Sequence, residues 1–281
     1  MKKTGRWPCH FNGDRLYIEP GWEEKLAAFG LVAGGGWDRL NPGVHLIDSG
    51  SKHVNMYRVA LEGGETVYFK CYRYPGKEGR YFMQRSRAGN EVYSYRQFAG
   101  MGVTTVMPLA LGEIRKFGTL PAACVVTREI PDAISLDEFA RLYWCNMPAD
   151  GKSRAYREIS SEIIRQLQLA HRHNFFHYDL KWRNILVYRD TDGRHRTAWI
   201  DCPRGRYMRL RRGRGRMVDL SSLARLALSY LSRTQRLRFI HAYLGERTTR
   251  RRARRLFMKV DRHLSRRMPE VFDPLIGRTD E

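Results

Sequence analysis

Asp179 and Asn184 stand five positions apart in the run His177-Tyr178-Asp179-Leu180-Lys181-Trp182-Arg183-Asn184-Ile185-Leu186. A carboxylate and a neutral side-chain oxygen at that spacing suit phosphoryl transfer. The first accepts the proton of an acceptor hydroxyl, the second helps to hold magnesium, and one short loop aims both at the same point. Seventeen residues further on, Trp199-Ile200-Asp201 ends an apolar run with a second carboxylate. Magnesium is a hard cation that prefers oxygen ligands, which makes Asp201 a candidate for the ion that bridges nucleotide phosphates. Lys181, two residues past Asp179, is suited to neutralise charge on a transferred phosphoryl group.

The elements that must position these groups follow a definite order, with no internal repeat. Strands are expected over 45–49, 54–61 and 66–74, the last two joined by Glu62-Gly63-Gly64-Glu65, a hairpin signal. Residues 76–87 read as a polar loop, from which Ser86 can cap a helix reaching about Gly100, with Glu91, Tyr95 and Phe98 at helical spacing. Two apolar runs, 105–111 and 122–130, read as strands. Beyond residue 131 the pattern turns helical. Ser135-Leu136-Asp137-Glu138 reads as a capping box, and Ser153 opens a long amphipathic helix with Ile159, Ile163, Ile164, Leu167 and Ala170 on one face. Short strands over 185–188 and 197–200, turning at Asp192-Gly193, precede arginine-rich helical segments. The expectation is one α+β domain over 1–281, with a strand-rich N-lobe over 1–131 and a helical C-lobe over 132–281.

Taken singly, Lys70 reads as a solvated lysine, Glu91 as a helix-surface residue and Asp219 as a helix cap. Their order is what distinguishes them. The loop around Asp179 resembles the catalytic loop of the protein-kinase superfamily, and Asp201 stands where that family has its metal-binding aspartate. Val67-Tyr68-Phe69-Lys70 resembles the strand that carries the phosphate-pairing lysine, and Glu91 resembles its ion-pair partner. Asp219-Leu220-Ser221-Ser222-Leu223 resembles the helix whose aspartate braces the catalytic loop, and His177 packs beneath that loop as a structural residue. Gly50 and Ser51, in Ser49-Gly50-Ser51-Lys52-His53, stand at the phosphate-covering loop. The resemblance implies a two-lobed kinase-like fold using ATP and Mg2+. In it Asp179 is the base, Asn184 and Asp201 hold the metal, and Lys70 with Glu91 positions the nucleotide.

Four departures narrow the reading. The phosphate-covering loop is poor in glycine. Tyr178 replaces the arginine that ordinarily answers a phosphorylated activation loop. Cys202-Pro203 follows Asp201 where Phe-Gly is usual. Only eighteen positions separate Asp201 from Asp219, too few for a peptide-docking activation segment, and they hold Arg204, Arg206, Arg209, Arg211, Arg212, Arg214 and Arg216. Guanidinium groups grip phosphates in a bidentate manner. The first five of these arginines are therefore candidates for binding an anionic acceptor. The short segment, the Ile-Asp pair and the basic charge together resemble the bacterial lipopolysaccharide core (Kdo/heptose) kinases. That resemblance implies a phosphorylated lipopolysaccharide core acceptor and a location on the cytoplasmic face of the inner membrane.

Composition agrees with a polyanionic partner. Lys and Arg number 51 against 29 Asp and Glu, a net charge of +22. Such a field attracts nucleic acid, an anionic membrane or a phosphorylated substrate, with nucleic acid the least favoured of the three here. A second basic run, Arg250-Arg251-Arg252-Ala253-Arg254-Arg255, is followed by Leu256, Phe257 and Val260 and reads as a basic amphipathic helix, suited equally to peripheral membrane contact and to a solvated helix face. Five scattered cysteines without C-x-x-C spacing read as reduced thiols, and Met1–Pro8 has no apolar run of the secretory kind. No run of about 18 apolar residues suggests a membrane span. Two other readings stay open: another atypical kinase, acting on a small molecule such as an aminoglycoside or akin to the RIO kinases, and a non-catalytic pseudokinase that binds anionic partners.

Overall fold

The computed structural model describes residues 10–40, 46–47 and 53–267. The chain forms two units, Met1–Gln97 with Val106–Ile130 and Phe98–Thr105 with Pro131–Glu281.

Period-two alternation builds the first unit. The strands are β1 (Gly13–Ile18), β2 (Leu46–Ile47), β3 (Val54–Ala60), β4 (Thr66–Arg73), β5 (Pro108–Lys116) and β6 (Thr119–Arg128). They form one antiparallel sheet in the order β1-β5-β6-β4-β3-β2, accompanied by α1 (Glu23–Ala28) and the start of α2 (Arg87–Met101). Successive side chains of a strand point to opposite faces. In β4, Val67, Phe69 and Cys71 therefore join a core with Trp22, Leu26, Leu31 and Trp37. Tyr72 joins a second core with Ala88 and Val92 of α2. Lys70 shares the parity of Tyr72, so it faces α2, and its backbone is held in register between Met56 and Val125.

The hairpin over Glu62–Glu65 forms as expected, with Gly63 and Gly64 at φ 92° and 84°. Ser86 caps α2 by accepting the Gly89 amide at 2.8 Å. The strands expected over 105–111 and 122–130 instead run Pro108–Lys116 and Thr119–Arg128. Charge disguises this hairpin, because Glu113 and Arg115 lie within it as a buried pair 3.0 Å apart. β1 and α1 have no counterpart in the sequence reading. The partner of β1 is β5, about a hundred residues away, with Gly13 opposite Arg115.

In the second unit come β7 (Ile134–Ser135), α3 (Leu136–Phe139), a π-turn over Ala140–Trp144, α4 (Ala149–Arg172) and β8 (Phe175–Phe176). Then follow β9 (Ile185–Arg189), β10 (His195–Trp199), β11 (Arg206–Tyr207), α5 (Arg212–Tyr230), α6 (Arg233–Leu244) and α7 (Arg250–Arg267). The small sheets are β10-β9-β7 and β11-β8. α4 starts four residues before Ser153, behind Pro148, whose fixed φ suits a helix entry. It buries Ile159, Ile163, Leu167 and Ala170, and leaves Ile164 half-buried. Ser135 makes no cap hydrogen bond. It pairs with Leu186 at the end of β7, and that overturns the expected capping box. The reciprocal box stands instead at α6, where Ser232 and Gln235 exchange bonds of 2.9 and 3.2 Å. Among the described residues no helix is long and apolar enough to cross a membrane.

Gly215, on the first turn of α5, lies against Phe176 of β8, and a Cβ there would sit 2.5 Å from the ring. Gly215→Ala is expected to destabilise the protein by about 1–3 kcal/mol through overpacking, read as a lower thermal midpoint. Gly213→Ala, with nothing within 4 Å of its Cβ, should leave the midpoint unchanged or slightly raised.

Candidate active site

Lys70 and Glu91 meet within the first unit, with Lys70 Nζ 3.2 Å from Glu91 Oε1. Glu91 is almost fully buried, and its carboxylate also accepts from the Tyr72 hydroxyl and, at 3.2 Å, from the Tyr95 hydroxyl. Lys70 Nζ lies 5.2 Å over the Tyr72 ring. These contacts follow from local periodicity. Tyr72 is two residues from Lys70 on the same strand face, and Tyr95 is one helical turn from Glu91. Both tyrosines belong to the site, and the sequence reading gave Tyr72 no role. Gly50 and Ser51 lie outside the described residues.

The second unit assembles the loop between β8 and β9. Lys181 Nζ sits 2.8 Å from Asp179 Oδ1, and the Lys181 amide donates to the Asp179 carbonyl at 2.8 Å. Asn184 is buried, and its Nδ2 donates to the same carbonyl at 2.8 Å. Its Oδ1 is thereby the atom suited to a cation. The Ile200 amide donates to the Asn184 carbonyl at 2.9 Å, which brings Asp201 beside Asn184. Oxygen donors of this kind fit magnesium, which keeps several waters and phosphates among its ligands. Among the described residues no group of three or more His, Cys, Asp or Glu converges as a metal cage.

Beneath the loop lies Asp219, fully buried. Its Oδ1 accepts from the Tyr178 amide at 2.8 Å, and its Oδ2 from the His177 amide at 3.0 Å. His171 Nε2, from α4, completes this set at 3.1 Å. Tyr178 and Asp201 take left-handed φ values of 66° and 52°, backbone conformations that surrounding bonds must impose on non-glycine residues. The His177 ring stacks on Phe98 and meets Trp199 edge to face. His171 carried no signal in the sequence reading, although it lies at the end of the apolar face of α4.

The segment after Asp201 is short and tied down. Arg206 pairs opposite Phe176, and Tyr207 opposite Phe175. The Arg206 guanidinium stacks on the Tyr178 ring at 4.1 Å. Arg204, Arg206, Arg209, Arg211, Arg212, Arg214 and Arg216 are all exposed. The last three lie on the opening turns of α5 rather than in a loop.

The model of the lipopolysaccharide kinase (Kdo/WaaP) family matches residues 77–243. Among solved structures, WaaP in complex with acyl carrier protein aligns with a TM-score of 0.66 at 19% identity, covering 92% of this chain and 100% of that one. Rad53 1-466 in complex with AMP-PNP aligns at a TM-score of 0.44 and 17% identity, over 67% of this chain and 47% of that one. No curated protein matches the sequence.

His177 Nδ1 accepts from the Asp179 amide at 3.3 Å, and Nε2 donates to the Ile200 carbonyl at 3.1 Å, so the ring is bonded in its neutral form. Burial pushes its pKa below the usual 6.5, against the opposing pull of the Asp219, Asp201 and Asp179 carboxylates. Below pH 6.5 the unfolded chain takes up this proton and the folded chain resists it, so stability is lost as pH falls. The stability gap between wild type and His177→Asn should narrow between pH 7.5 and pH 5.5, measured by urea denaturation at each pH. A constant gap would mean that the folded state leaves His177 free to titrate.

Proposed function

Because the chain belongs to the lipopolysaccharide kinase (Kdo/WaaP) family, we propose that it transfers the γ-phosphoryl group of ATP to a sugar hydroxyl of the lipopolysaccharide inner core, with Asp179 as the base. The observation that carries this is the loop in which Asp179, Lys181 and Asn184 are bonded together, with Asp201 beside them. Asp179 takes the proton of the acceptor hydroxyl while the oxygen of that hydroxyl bonds to the γ-phosphorus. The bond from that phosphorus to the bridging oxygen breaks, and ADP leaves. Lys181 offsets charge on the phosphoryl group, and Lys70, oriented by Glu91, holds the nucleotide phosphates. Asn184 and Asp201 would hold magnesium, which when bound neutralises phosphate charge.

The arginines after Asp201 are assigned to the acceptor. α5 has no acidic residue in its first turn and no side-chain cap, and it begins at Arg212 behind Arg211. Free amides, a positive dipole end and guanidinium groups together favour an anion, which supports a phosphorylated acceptor. The acceptor is lipid-linked, which favours work at an anionic membrane face. α7 offers such a face mainly charge, with Met258 as an exposed apolar side chain among it. Its apolar residues Ala253, Phe257, Val260 and Leu264 are buried, and Arg250, Arg251, Arg252, Arg254 and Arg255 are exposed. The stripe is thus engaged in packing, and the basic side of the helix is the side that faces outward. We extend to this chain the partner class of the WaaP structure, an acyl carrier protein. An apolar cavity of about 100 Å³ in the second unit, lined by Trp144, Trp182, Tyr230 and Phe257, would accept hydrocarbon.

Asp179→Ala is expected to lower transfer by roughly 10²–10⁴-fold while ATP still binds. Asp201→Asn and Lys70→Met should instead weaken Mg-ATP binding, measured by calorimetric titration. Binding without transfer in the wild type would favour a pseudokinase.

Replacing Arg209, Arg211 and Arg212 by glutamate should raise the acceptor KM at least about tenfold, since each charge-assisted contact is worth about 1.5–3 kcal/mol. The KM for ATP should stay near that of wild type. Added salt should weaken acceptor binding in the wild type and do so less in the variant. Steady-state kinetics at two ionic strengths on purified core acceptor reads both effects. An unchanged acceptor KM would return these arginines to a solvated surface.

A further inference from the structure

Three chain segments of the first unit converge at the turn of the β5–β6 hairpin, and each presents a large apolar side chain to solvent. Phe117 is 73% exposed, Phe11 and Phe82 are each 52% exposed, and Met83 is 44% exposed. The cluster is built rather than incidental. The Gly118 amide donates to the Phe11 carbonyl at 2.7 Å, the Met83 amide to the Gly118 carbonyl at 3.1 Å, and the Phe117 amide to Asn12 Oδ1 at 2.6 Å. The Phe11 and Phe117 rings meet edge to face at 6.2 Å. Phe82 lies so close to Gly118 that a Cβ there would fall 2.7 Å from its ring.

Arg115 locks the platform from within. Its side chain is wholly buried, and its Nη1 donates to the carbonyls of Tyr81 at 3.1 Å and Gly118 at 3.2 Å, while Glu113 balances its charge. Phe117 and Met83 both adopt left-handed φ, 49° and 48°, a conformation that costs bulky side chains energy. A buried ion pair and two strained residues thus hold an exposed aromatic knob in place. A fold that needed only a turn here would put glycine or asparagine at such positions.

We propose that this knob is a membrane-docking surface, with Phe82, Phe117, Phe11 and Met83 entering the headgroup–acyl boundary of an anionic bilayer. Charge selects this occupant over a protein partner. Lys116 adjoins Phe117, and Arg80 and Lys77 precede Phe82. All three are exposed, and Lys2, Lys3 and Arg6 precede Phe11 in the sequence. The acidic residues close by are engaged elsewhere. Glu113 pairs with Arg115, and Glu78 accepts the Gly76 amide at 3.0 Å. Apolar side chains ringed by cations are what an anionic interface binds, through buried apolar area and electrostatic attraction together. The proposal rests on the reading that the acceptor is lipid-linked and gives the membrane contact to a surface other than the acceptor arginines.

The test is co-flotation with phosphatidylcholine vesicles with and without phosphatidylglycerol. Wild type should bind the anionic vesicles, and the double variant Phe82→Ser/Phe117→Ser should bind them at least about tenfold more weakly, since each buried phenylalanine is worth a factor of that order. Phe117→Trp should gain blue-shifted emission that lipids brominated in their acyl chains quench. Equal binding by the double variant, with no quenching of the tryptophan, would mean that basic faces alone dock, and would overturn the proposal. So would a wild type that ignores vesicles but forms a dimer that the same substitutions abolish. Transfer to a delipidated, water-soluble core oligosaccharide should be the same in wild type and double variant. Absence of that transfer in the wild type would count against the kinase reading, independently of the vesicle result.

Discussion

A carboxylate removed from water must find hydrogen-bond donors or lose its charge, and Asp219 meets that demand with the loop above it. Its oxygens take the amides of His177 and Tyr178, and His171 takes the remaining side. His171 in turn accepts from the Tyr243 hydroxyl at 2.8 Å, and burial pushes that phenol up to about 12, so it stays a donor. α4, α5, α6 and the loop carrying Asp179 thereby share one polar chain inside an apolar surround. Gly215 permits it, because α5 can approach β8 closely only where its side chain is absent. The strained backbone at Tyr178 is then a consequence, since both amides must point down at one carboxylate.

The same constraint organises the first unit. Glu91 is buried, and Lys70, Tyr72 and Tyr95 supply its partners. An isolated buried glutamate would protonate or expel the helix, whereas this one orients a lysine on the neighbouring strand. Lys70 retains some exposure, so its ammonium can serve a ligand while its stem stays in register. Two buried carboxylates, one in each unit, thus each hold the donors around them in place.

Positive charge is distributed differently. The arginines between Asp201 and Asp219 are exposed, and little in the described structure restrains them beyond the Arg206 stack on Tyr178 and the bond from Arg212 Nε to the Arg209 carbonyl. Tyr178 turns a position that elsewhere carries a cation into a platform for one. The short segment is then ordered by two residues of strand pairing and an aromatic contact. Under the proposed reading, such freedom would suit a phosphorylated acceptor, because a rigid array fits only one spacing of phosphates. In α7 the apolar stripe is used for packing, which leaves guanidinium groups outward.

By itself the sequence determined the parts whose chemistry is local. These were the loop from His177 to Asn184, the strand parity of Lys70, the capped helix carrying Glu91 and the apolar face of α4. In each, neighbours within a turn or two carry the information. It misjudged elements whose signal is masked by charge or supplied from afar. The β5–β6 hairpin was misread because Glu113 and Arg115 neutralise each other inside it, and β1 was invisible because its partner lies about a hundred residues away. Ser135 looked like a cap until β7 claimed it for pairing with Leu186. Only the tertiary structure decided that His171 and Tyr243 support Asp219, that Tyr72 shares Glu91, and that three distant segments meet in an exposed aromatic knob. Each of these depends on groups far apart in the chain satisfying one another once water is excluded, a condition that no stretch of sequence carries alone.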